Sequence, residues 1–184
     1  MPYDPDQHHR RSIRLPGYDY ATSGAYFVTI CTQHRACVLG TIEGDAMCPN
    51  AAGEMTLSVW YSLPERFPCV ALDAFVVMPN HVHGLIVIAE NASLAPGRAE
   101  EMTAPCASLG AVVGAWKSLT THGYLRGIHD CGWACFDKRL WQRNYWEHIV
   151  RDDAEMQRLR RYILTNPSHW HGDQLHPAAP SWNQ

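Results

Sequence analysis

Phe75-Val-Val-Met-Pro-Asn-His-Val-His-Gly-Leu-Ile-Val-Ile88 holds two apolar runs separated by a proline–asparagine pair. Proline presets its own φ and asparagine tolerates turn geometry, so Val70 to Met78 and Val82 to Ala89 read as two strands of a hairpin turning at Pro79-Asn80. Both runs are almost continuously hydrophobic, which predicts burial on both faces. Side chains alternate along a strand, so His81 and His83 share one face while Val82 points to the other, into the core. Two imidazoles on one face can share a cation. The His-x-His spacing alone also suits two surface histidines, and the rest of the chain must decide between them.

Working outward, Tyr26-Phe-Val-Thr-Ile-Cys-Thr-Gln33 is rich in β-branched and aromatic residues and reads as a first strand. Ala51 to Leu63, stopped by Pro64, has the composition of a helix. Glu90 to Ala107 gathers Asn, Ser, Pro, Gly and acidic residues, as a surface linker does. Leu109 to Leu125 reads as an amphipathic helix with Leu109, Val112, Val113, Trp116 and Leu119 on one stripe. Leu140 to Val150 suits a further strand. Asp152-Asp153 then supplies an acidic first turn for a helix that runs to about Thr165 and ends before Pro167. The order strand, helix, hairpin, helix, strand, helix is α+β, and it suits one largely antiparallel sheet with helices packed on it.

The 184 residues fit one domain, expected over 26–170, with a basic arm at 1–25 and a tail at 171–184. Hydrophobic residues form 46% and charged residues 18%, which excludes a mostly disordered chain. No apolar run reaches the ~18 residues of a membrane span, and the polar start is unlike a signal peptide, so the expectation is a cytoplasmic protein that binds no membrane. Seven cysteines without repeated CxxC spacing argue for reduced thiols; His129, Cys131 and Cys135 are the one trio that could suggest zinc. The net charge of −3 speaks against a nucleic-acid binder, but its distribution is uneven. Residues 36–106 carry two basic and eight acidic side chains, and residues 117–161 carry nine and six. The second stretch can present a locally positive face to phosphates.

A second informative segment is Trp141-Gln-Arg-Asn-Tyr-Trp-Glu-His-Ile-Val-Arg-Asp152, followed by Arg158-Leu-Arg-Arg-Tyr-Ile-Leu-Thr-Asn-Pro167. With Pro79-Asn-His-Val-His83 and the opening from Arg11 to Gln33, these segments resemble the REP-associated tyrosine transposases, a branch of the HUH single-tyrosine transposases. The resemblance runs in order from about Arg11 to Trp170. It implies a ferredoxin-like α+β core in which two histidines and a late helical tyrosine cut and rejoin single-stranded DNA beside hairpins. The family's nucleophile lies on the helix ahead of an Asn-Pro pair, which corresponds to Tyr162.

The residue types suit that chemistry independently. Attack on a phosphodiester brings a nucleophile toward an anion and expels an alkoxide, so a cation on the phosphate oxygens lowers both barriers. His81 and His83 are the expected ligands. Oxygen-rich sites favour Mg²⁺ and two imidazoles shift preference toward Mn²⁺, so the expected cofactor is Mg²⁺ or Mn²⁺. Asn166, one helical turn after Tyr162, is either a third ligand or a cap at the helix end. Tyr145 is the rival nucleophile, a packing residue or a stacking platform, and His148 is either near the metal or structural. Lys117, Arg143, Arg158 and Arg161 are candidate phosphate contacts, and Arg10, Arg11 and Arg14 form an arm suited to a groove or hairpin base. The partner expected is single-stranded or hairpin DNA, bound by a monomer or homodimer. The alternatives are a hairpin-binding protein with little turnover, or a zinc-stabilised module.

Overall fold

A computed structural model describes residues 23–89 and 107–179. The arm with Arg10, Arg11 and Arg14, nearly all of the expected linker and the end of the tail lie outside the described residues. The elements are β1 (Gly24–Cys31), β2 (Gly40–Glu43), β3 (Ala46–Pro49), α1 (Ala51–Tyr61), α2 (Leu63–Arg66), β4 (Val70–Met78), β5 (His81–Ile88), α3 (Leu109–Cys131), β6 (Trp146–Val150) and α4 (Asp153–Thr165). Short 3-10 turns cover Gln33–Arg35 and Pro167–Gly172. Polar caps begin the helices: Asn50 accepts from Ala52 and Gly53, Ser108 from Ala111, and Asp152 from Glu155.

The main sheet has the order β4-β5-β1-β6 with every neighbouring pair antiparallel. With α1 between β1 and β4 and α3 between β5 and β6, this is the ferredoxin-like α+β core. Alternation along each strand serves two layers. Tyr26, Val28 and Ile30 of β1 and Val82, Ile86 and Ile88 of β5 pack with Trp60 of α1 and Val112, Val113 and Trp116 of α3. Phe27 and Leu85 face the other way, against Ile163 of α4. The predicted burial of the hairpin on both faces therefore has a physical reason, since helices cover both sides of β5. A bulge in β4 between Leu72 and Phe75 brings out Asp73, which accepts two bonds from Arg160 (2.7 and 2.5 Å) and ties α4 across the sheet.

Three elements differ from the sequence reading. The strand expected over 140–150 is regular only from Trp146, because the carbonyls of Gln142, Arg143 and Asn144 turn to the Lys117 ammonium (2.9, 3.3 and 3.3 Å) instead of a neighbouring strand. Helix α3 continues past Leu125 to Cys131 because Gly127 leaves room for the Trp133 ring, which would lie 2.2 Å from a Cβ there. Leu119 is 38% exposed; the buried stripe passes instead through Thr120, whose hydroxyl donates to Trp116 O and accepts from the Trp141 indole. The β2–β3 hairpin is an addition between β1 and α1.

Candidate active site

Strand register builds the centre of the site. His81 and His83 pair with Cys31 and Thr29 across β1, and their rings lie on the α4 face, 0% and 3% exposed. The Nε2 atoms of the two rings are 3.1 Å apart. The other nitrogen of each ring is held by a neighbour: Nδ1 of His81 lies 2.8 Å from Asn80 Oδ1, and Nδ1 of His83 lies 2.8 Å from Thr29 Oγ1.

The Asn80 amide has a determined orientation, because its Nδ2 donates to the carbonyls of Arg35 (3.2 Å) and Leu175 (2.8 Å). Its Oδ1 must then accept from His81, which puts the His81 proton on Nδ1 and leaves a lone pair on Nε2. A metal-ligating histidine is held in the same way, with one nitrogen donating to an oxygen and the other facing the ion. Burial pushes the His83 imidazolium pKa down to about 3. His81 is also held well below the usual histidine range, by burial first, then by His83 and Arg35. Both rings are neutral near pH 7, the form that coordinates a cation.

Helix α4 brings the tyrosine. Its buried side seats Ile163 on Phe27 and Leu85, and the next position on the rim, Tyr162, leans over β5. Tyr162 Oη is 3.4 Å from His83 Nε2, with ring centroids 5.2 Å apart, and 46% of the residue is exposed. Burial and then the Asp173 carboxylate raise the phenol pKa above its ordinary value, and the Asn166 amide opposes that shift. Asn166 lies one turn on from Tyr162. It occupies the C-cap position of α4, yet its side chain is buried in the cleft, and its Oδ1 accepts no aligned hydrogen bond. An acceptor oxygen without a donor, next to a neutral imidazole lone pair, fits a cation better than a packed core.

Asp173, just after the second 3-10 turn, is the group that the sequence reading missed. Its Oδ2 is 3.9 Å from His81 Nε2, and donor atoms of His81, His83 and Asp173 lie within 4.8 Å of one another. His129, Cys131 and Cys135 form no comparable group among the described residues; all three are exposed, and His129 pairs with Asp130. Nothing in the local sequence marks Asp173. Thr29 could have been found only from strand register.

The cleft has a volume of about 870 Å³ and is lined by Phe27, His83, Trp146, Arg158, Tyr162 and Asp173 among others. The structure thus brings together Tyr162, His81, His83, Asn166 and Arg158. It leaves Arg161 exposed on α4 outside the lining. Tyr145 lies away from the cleft, its ring 5.2 Å from the Lys117 ammonium, so the exposed aromatic face beside the tyrosine is Trp146, 46% exposed and edge-on to Phe27. His148 pairs with Glu155 at 2.9 Å, in the structural role. Arg143 belongs to a separate groove. No helix among the described residues is long and apolar enough to cross a membrane.

No family model matches the sequence. An uncharacterised protein of Haemophilus influenzae is 36% identical over 186 residues, covering 95% of this chain and 97% of its own. A second H. influenzae protein, provisionally named a REP-associated tyrosine transposase, is 23% identical over 81% of this chain and 73% of its own. A solved REP-associated tyrosine transposase, bound to a REP hairpin, superposes with a TM-score of 0.56 at 18% identity, covering 95% of this chain and 92% of that one. The chain belongs to one family with the first H. influenzae protein, and it has the fold of a REP-associated tyrosine transposase.

Proposed function

We propose that the protein is a tyrosine DNA endonuclease and strand transferase that acts on single-stranded DNA beside hairpins, with Mg²⁺ or Mn²⁺ as cofactor. The observation that carries this reading is the approach of Tyr162 Oη to His83 Nε2, 3.4 Å, at a centre where two neutral imidazoles present Nε2 atoms 3.1 Å apart. The hairpin bound by the solved transposase of the same fold supports the substrate class.

His81, His83 and Asp173 would hold the cation, with Asn166 Oδ1 as a further donor. When bound, that cation supplies charge neutralisation at the scissile phosphate and at the phenolate. Tyr162 loses its proton to solvent and attacks phosphorus; a phosphotyrosine bond forms, the phosphorus bond to the leaving sugar oxygen breaks, and that oxygen takes a proton from water. Attack by a second DNA hydroxyl reverses the exchange and releases the tyrosine, so strands are rejoined without ATP. Arg158 at the cleft wall suits a phosphate, and Trp146 suits an unpaired base.

The reading is tested with a labelled hairpin carrying a single-stranded flank, incubated with Mn²⁺ and resolved on a denaturing gel. Wild type cuts the flank, chelation stops it, and His81→Ala and His83→Ala bind the hairpin without cutting. Cutting by both histidine variants would refute the site. Hairpin binding with no cutting by wild type would make the protein a binding module.

A further inference from the structure

Helix α4 carries the tyrosine, yet its apolar seat is narrow. Ile163 alone of its residues is buried, and Met156 and Leu159 are partly so. Apolar contact is non-directional, so a seat of this width resists lifting of the helix better than it resists rolling. Polar ties at the two edges of the sheet supply direction. At the start of α4, Glu155 takes a bond from His148 Nε2 of β6 and another from the Arg151 amide, both 2.9 Å. Two turns before the helix ends, the Arg160 fork meets both oxygens of Asp73 on β4, at 2.7 and 2.5 Å. Asp73 is itself fixed: the β4 bulge presents it, and the Ala74 amide donates to its Oδ1 at 2.7 Å. The Arg160 guanidinium holds the Asp73 carboxyl below its ordinary range, so the pair is ionic at neutral pH.

We propose that Asp73 and Arg160 are positioning residues that set the roll of α4 and, with it, the 3.4 Å approach of Tyr162 to His83. The proposal rests on the reading of Tyr162 as nucleophile given above. At about 100° per residue, Arg160 and Tyr162 fall on opposite flanks of Ile163. With Ile163 seated on Phe27 and Leu85, that side chain is a fulcrum, and a roll that withdraws Arg160 from β4 displaces Tyr162 over β5. Neither Asp73 nor Arg160 lines the cleft, so their effect reaches the chemistry only through the helix. A half-exposed ion pair adds little to global stability, but a fork closed on a fixed carboxylate admits one geometry.

The test compares wild type with Asp73→Asn, Arg160→Gln, the two combined, and Arg160→Lys, in single-turnover cutting of a labelled hairpin with a single-stranded flank and Mn²⁺. A reacting atom misplaced by about 1 Å costs about 100-fold. Cutting at saturation should therefore slow by about 10- to 100-fold in each of the first two variants, with the half-saturating protein concentration changed less than about twofold. Their combination should be no slower than the slower single variant, since the two act as one unit. Arg160→Lys, which keeps the charge and loses the fork, should recover only part of the rate. Amide exchange should quicken over 159–165 and stay unchanged in β1 and β5. Wild-type rates in both single variants would overturn this proposal alone and leave the nucleophile reading standing. Slowing accompanied by faster exchange throughout β1 and β5 would make the pair a general stability element and overturn it too. Failure of wild type to cut would overturn both readings.

Discussion

Asn80→Ala should separate the fold from the tautomer of His81. The amide is fully buried, and it joins the histidine pair to two chain segments through Arg35 O and Leu175 O. Truncation leaves the buried His81 Nδ1–H without its 2.8 Å acceptor, at about 1–3 kcal/mol for an orphaned buried donor. The two carbonyls belong to residues nearer the surface, where water can replace the amide, so each adds at most about 1 kcal/mol. The total is roughly 3 kcal/mol, a large loss for a domain of this size but short of unfolding. Loss of a partner behind a metal-ligating histidine typically costs about 10–100-fold in metal affinity. Urea denaturation gives the first quantity, calorimetric titration with Mn²⁺ the second, and two-bond proton–nitrogen spectra of ¹⁵N-histidine protein report the tautomer directly. Asn80→Asp, which keeps the acceptor, should retain the Nδ1–H tautomer. If Asn80→Ala keeps both the tautomer and the Mn²⁺ affinity of wild type, the argument from the amide is wrong.

Two further predictions follow from burial. His83 binds its proton less tightly in the folded protein (about 3) than at its ordinary value of 6.5, so the unfolded chain takes up the extra proton in that window. Stability is therefore full above about pH 6.5 and falls as pH drops toward about 3, by at most about 5 kcal/mol from this ring. Urea midpoints measured against pH should fall more steeply for wild type than for His83→Gln, and parallel curves would refute the assignment. Gly84→Ala would place a Cβ 2.5 Å from the Trp60 ring, which stacks on Phe75, and overpacking of this kind costs about 1–3 kcal/mol. An unchanged thermal midpoint would show that the ring yields freely.

The parts of the molecule legible in its sequence were those carried by local periodicity. Continuous apolar runs around Pro79-Asn80 specify a hairpin covered on both sides, and alternation sends His81 and His83 one way and Val82 the other. Tyr162 is singled out by the resemblance to the tyrosine transposases, and helical spacing adds only that Asn166, one turn on, shares its face. The segment 140–145 is legible only in part: Trp141 bridges Thr32 beyond β1 as a strand would, but the carbonyls of Gln142, Arg143 and Asn144 turn to one distant ammonium, Lys117. Leu119 and Thr120 compete for the same stripe, and a hydroxyl that can bond both Trp116 O and the Trp141 indole takes the buried place. Asp173 and Thr29 reach the site only through tertiary placement and strand register, which no window of residues encodes.

The proposed function requires that Tyr162 form the covalent bond to DNA. The most direct measurement is digestion of the protein–DNA adduct, formed with Mn²⁺ on a hairpin with a single-stranded flank, followed by mass spectrometry of the modified peptide. A nucleotide on Tyr162 and no adduct in Tyr162→Phe are expected, with hairpin affinity changed by less than about twofold, since one hydroxyl is removed. A nucleotide found on Tyr145, or an adduct that survives in Tyr162→Phe, would contradict it.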